Sequence, residues 1–61
     1  MSKKHFEAIA RDFNDHVTGA RLNGEHARIG ALMALAGSLA DTFETINPRF
    51  NRERFLKACG F

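Results

Sequence analysis

The sequence predicts an all-α fold, a small three-helix antiparallel arrangement with a long central helix, and three observations carry this. Apolar residues between Glu25 and Ile46 recur at 29, 32, 36, 39, 43 and 46, which returns to one face of a helix every turn. An earlier stretch, Phe6, Ile9, Ala10, Phe13 and Val17, shows the same return. No segment alternates apolar and polar residues as a half-buried strand would. The helices are expected at about residues 3–18, 24–46 and 51–59, within a single helical domain over 1–61.

The first helix is expected to start after Ser2, a good N-cap type, and to close at Gly19. Its polar face carries Lys4, Glu7 and Arg11, spaced for weak i,i+3 and i,i+4 pairing. Residues 19–24 read as a short connection, which makes the flanking helices antiparallel neighbours. Asn23 or Gly24 is expected to start the second helix, with Glu25 in its positive first turn.

The second helix has Ile29, Leu32, Ala36, Leu39, Phe43 and Ile46 as its seam, widened by Met33, Leu35 and Ala40. Gly30 and Gly37 lie seven residues apart with Ala34 between them on the same side. Each glycine costs about 1 kcal/mol against alanine. The row reads either as a place where another backbone comes close or as ordinary exposed surface. With Met33 it forms a candidate self-association face: Gly30, Met33, Ala34 and Gly37.

Asn47-Pro48 ends the long helix, because proline cannot continue the ladder and restricts the residue before it. The third helix is the best specified. Asn51 is placed as N-cap, Phe50 and Phe55 as a hydrophobic staple, and Glu53 in the first turn. Gly60 sits where a left-handed closing residue belongs, and Phe61 can fold back on Leu56. These aromatic residues read as core anchors.

Sixty-one residues bury only about 60% of their unfolded surface on folding, so such a domain is marginal alone. Cys59 is the sole cysteine, which removes an internal disulfide and suits a reducing cytoplasm. Packing or a partner must supply the stability. The longest apolar run, 29–40, falls short of the roughly 20 residues of a membrane span, and no leader-like h-region precedes it. A soluble, cytoplasmic protein with no membrane partner is expected.

Catalytic and metal-binding chemistry find little support. His5, His16 and His26 share no ligand spacing, and no second thiol accompanies Cys59. Cys59 lies in the last turn of a helix, where the dipole raises a thiol pKa, and reads as a small buried hydrophobe. Asp12 with Asp15 and Asp41 with Glu44 are i,i+3 surface pairs with basic neighbours. No enzyme and no cofactor are expected.

The formal charge of +2 is small, yet Arg49, Arg52, Arg54 and Lys57 face only Glu53 in their own segment. They form a candidate patch for an acidic protein surface or for nucleic acid, with Arg21 and Arg28 as extensions if they share its side. Asp41 and Glu44 are the expected ion-pair partners of this segment.

The ending NPRFNRERFLKACGF resembles that of many short proteins encoded by bacteriophages and bacterial mobile elements. Their pattern is Asn-Pro, one residue, Phe, then Arg-Phe-Leu, one residue, Ala-Cys-Gly. Asn47, Pro48, Phe50, Arg54, Phe55, Leu56, Ala58, Cys59 and Gly60 meet it here, and KKHFEAIA is similar to their opening. Asn51 stands where Asp is frequent, which keeps the capping chemistry. The resemblance covers about the last quarter of the chain, and it implies a genetic setting and no activity. The expectation is a protein-interaction module that binds a host protein and self-associates as a homodimer. The alternative is a small nucleic-acid-binding accessory protein that uses the basic residues.

Overall fold

In a computed structural model, which describes residues 2–61, the chain forms three α-helices: α1 (Lys3–Leu22), α2 (His26–Ile46) and α3 (Arg52–Ala58). At the start of α1 the Ser2 carbonyl accepts the amides of His5 and Phe6 at 3.0 and 3.3 Å, and the Ser2 amide donates to His5 Nδ1 at 3.0 Å. The helix does not stop at Gly19 as expected but runs on to Leu22. Val17 and Ala20 continue its apolar face and are buried almost completely. Their burial outweighs the modest cost of one helical glycine.

The closing residue is instead Gly24, with φ at 68°. Its amide donates to Arg21 O at 3.2 Å and the Glu25 amide to Ala20 O at 2.8 Å, the paired bonds of a Schellman ending. Gly24 therefore ends α1 and does not start α2, and Glu25 takes the N-cap position of α2.

At the other end of α2, Asn47 leaves the helical region at φ −135° and ψ 104°, as the following proline requires. The staple and cap predicted for α3 are both formed. Asn51 Oδ1 accepts the Arg54 amide at 3.0 Å, and the rings of Phe50 and Phe55 lie 5.5 Å apart. A second Schellman ending closes α3. Gly60, at φ 104°, donates to Lys57 O at 3.0 Å, and Phe61 donates to Leu56 O at 3.1 Å.

The directions follow from which residues meet. Phe6 near the start of α1 lies 4.9 Å from Phe43 near the end of α2, so these helices are antiparallel. Phe6 also meets Phe50 just before α3, at 4.8 Å, while Arg21 reaches Gly60 O beyond its end at 2.8 Å. The third helix thus lies alongside α1 and antiparallel to α2. The core is an aromatic cluster of Phe6, Phe13, Phe43, Phe50 and Phe55, closed by Cys59. Ala10, Ala36 and Ala40, all buried, let the helices come close around it.

The seam of α2 is only partly used. Ala36, Ala40 and Phe43 are buried, and Leu32 and Leu39 are partly buried against the core. Ile46, expected in the seam, is 56% exposed, and Met33 and Leu35, expected to widen it, are 51% and 53% exposed. The seven residues of α3 meet the later part of α2, where Arg52 reaches Glu44, while its earlier part lies beside α1, where Arg28 reaches His16.

Candidate interaction surfaces

The outer face of α2 is set by the helical period. Ala34 and Gly30 are exposed along its middle, with Met33 and Leu35 on opposite flanks, about 200° apart around the axis. A Cβ built on Gly30 meets nothing within 4 Å, and one on Gly37 meets only Arg52 Nη2 at 3.9 Å. Among the described residues no other backbone comes close to Gly30 or Gly37, so the close-approach reading fails within the monomer. What the row offers is an open, shallow strip between two large apolar side chains.

Taken whole, α2 is more apolar than its longest apolar run shows. By length and composition it could cross a membrane, yet only 17% of its most apolar window is buried. A helix of that composition on a surface leaves an extended apolar area facing solvent. On the α1 side of Leu35 lies a shallow depression that it lines with Asp12, Phe13, His16 and Leu32.

The structure divides the four basic residues of the candidate patch among different surroundings. Arg52 Nη1 donates to Asp41 Oδ1 and, at 3.2 Å, to Glu44 Oε1, the pairing expected from the acidic end of α2. The bond to Asp41, then that to Glu44, raises the Arg52 pKa above its ordinary value. Arg49 and Arg54 form no ion pair among the described residues and flank a separate depression on the α1 side. Lys57 is exposed outside it. Nor do the proposed extensions join: Arg21 is held by Gly60 O, and Arg28 by Glu25 Oε2 at 3.3 Å and His16 Nδ1 at 3.4 Å.

No protein-family model matches this chain, and neither a curated protein nor a solved structure shows significant similarity to it. The functional reading therefore rests on surface chemistry.

Sequence reasoning missed the depression beside Arg49 and Arg54. Its apolar floor comes from Phe6, Phe50 and Phe55, and Lys3 completes its rim across from α3. Lys3 and Arg49 are 46 positions apart, and only the alignment of α3 along α1 brings them together. No local pattern signals it, because its walls come from α1 on one side and from the segment around α3 on the other.

Cys59 is fully buried, and burial pushes its thiol pKa up to about 11. It is a protonated core side chain at neutral pH and not a poised nucleophile. Among the described residues no three His, Cys, Asp or Glu side chains converge as metal ligands would.

Proposed function

We propose that this chain is a non-catalytic protein-interaction module that binds a host protein and pairs with a second copy of itself through the outer face of α2. The observation that carries this reading is the exposure of Met33 and Leu35 on either side of the open Gly30–Ala34–Gly37 strip, on a helix with three buried residues. Small residues in the middle let another helix approach closely, and the two flanking side chains supply apolar area to bury at about 25 cal/mol per Å². The phage and mobile-element resemblance of the ending fits a small protein that acts by occupying a partner.

Sedimentation velocity over a concentration series tests the self-association arm. Wild-type protein is expected to form a dimer, and Met33→Glu with Leu35→Glu to stay monomeric with unchanged helical content. A wild-type chain that stays monomeric at high micromolar concentration would remove this arm. Pull-down from host lysate with and without nuclease tests the partner arm, since a protein retained through nuclease treatment supports it.

The nucleic-acid reading keeps Arg49, Arg54 and Lys57, the residues of the patch with no ion pair among the described residues. Neutralisation of Arg52 by two carboxylates weakens it. Three phosphate contacts would give a log affinity against log salt slope of only about −3.

A further inference from the structure

Between the first turns of α1 and the segment leading into α3 lies a depression of about 240 Å³ whose floor and rim have opposite chemistry. The floor is aromatic, formed by Phe6, Phe50 and Phe55. The rim carries Lys3, Arg49 and Arg54 against the single acid Glu7, which pairs with Lys3 at 3.9 Å and leaves Arg49 and Arg54 without an ion pair among the described residues. The polar wall between them is also biased toward donors. Asn47 Oδ1 accepts the Arg49 amide at 3.1 Å and Asn51 Oδ1 the Arg54 amide at 3.0 Å, so each carboxamide oxygen already holds one donor while its NH₂ group remains to donate. Carboxylates, which only accept, are the complement of such a rim.

Size narrows the occupant. Pockets that enclose a drug-sized molecule run from about 300 to 1,000 Å³, and this one is smaller. It fits one apolar side chain, the usual anchor of a protein interface.

We propose that this depression binds an acidic segment of a partner protein, taking one aromatic or large aliphatic side chain onto the Phe6–Phe50–Phe55 floor and the flanking carboxylates onto Lys3, Arg49 and Arg54. The proposal rests on the reading of the chain as a binding module but uses none of the α2 outer face, so each can fail without the other.

The test is titration of the ¹⁵N-labelled full chain with a short synthetic peptide carrying one phenylalanine between runs of aspartate and glutamate. Amide shifts are expected at residues 3–7 and 47–58. Replacing the peptide phenylalanine by serine should weaken binding about tenfold or more, the expectation for an aromatic side chain returned to water. Arg49→Glu with Arg54→Glu should weaken it about tenfold, with dimerisation unchanged by sedimentation. Ala58→Leu, at an exposed position lining the depression, should block the anchor while keeping every charge. The peptide series carries the test if that variant does not fold. The proposal is overturned by absence of binding at millimolar peptide, by equal affinity for the serine peptide, or by shifts confined to residues 27–38. Tighter binding of a single-stranded oligonucleotide that displaces the peptide would likewise overturn it in favour of nucleic acid.

Discussion

Two glycines and one cysteine show how far single positions are constrained. Gly24 and Gly60 both hold positive φ, but their surroundings differ. A Cβ on Gly24 meets nothing within 4 Å, whereas one on Gly60 lies 3.1 Å from Asn14 Nδ2 and 3.5 Å from Val17 Cγ1. Gly24→Ala should therefore cost only the left-handed penalty of about 1–2 kcal/mol, a fall in Tm of roughly 5–15 °C. Gly60→Ala also crowds the Asn14 carboxamide, which must give by a few tenths of an ångström, and its φ of 104° lies farther from the left-handed helical region, so it should fall further. Equal melting of the two variants would show that the α3 ending is not packed on α1 as described. Cys59 gives a pH signature. Its folded pKa of about 11 exceeds the ordinary 9.0, so its contribution to stability is complete below pH 9 and is lost as pH rises toward and through 11. Thermal melts of wild type and Cys59→Ala should differ in slope across that window, with the variant lacking the cysteine's share of the loss.

At the scale of elements, α3 follows most directly from local chemistry. α3 has only seven residues and could not persist alone, so its cap, staple and stop hold it in place until packing does the rest. Asn51→Ala removes the acceptor for the Arg54 amide and should cost about 1 kcal/mol, read as a lower Tm with an unchanged fold. Within α2, Gly30→Ala separates two roles. In the monomer the position is helical and open, so alanine should raise stability by about 0.5–1 kcal/mol. In the proposed dimer the same methyl group holds the partner helix away and weakens association. Dilute melting and sedimentation of one variant should move in opposite directions; a stabilised variant with unchanged dimerisation would place the interface elsewhere.

At the scale of the whole molecule, the accessible surface is 4322 Å². The scaling for a folded monomer of this mass gives about 3,950 Å². The excess agrees with an elongated body of 36 × 18 × 14 Å whose longest helix is covered along only part of its length. The C-terminus holds this body together from one side. Phe61 packs against the core, its amide completes the Schellman ending, and Gly60 O accepts from Arg21. Removing Gly60 and Phe61 should lower stability by about 1–3 kcal/mol, seen as a lower Tm. A truncated chain melting with the wild type would contradict the role given to this ending.

The three helices, the Asn51 cap, the Phe50–Phe55 staple, the Gly60 stop and the burial of Cys59 were legible in the amino-acid order because each is a contact between residues a few positions apart or a plain consequence of periodicity. Where α1 ends was not, since Gly19 and Gly24 are both competent closers and only the burial of Ala20 against the other helices selects the second. Tertiary structure also divided the basic segment. Arg52 turns to Asp41 and Glu44 on α2, while Arg49 and Arg54 line a depression shared with the start of α1, because the short α3 packs against both long helices and presents different sides to each. The sequence by itself determined the three elements and the cap, staple and stop of the last one; the end of α1, the exposure of Met33 and Leu35 and the sharing of one depression by Lys3 and Arg49 were decided only by which helix faces which, a long-range choice that no local pattern encodes.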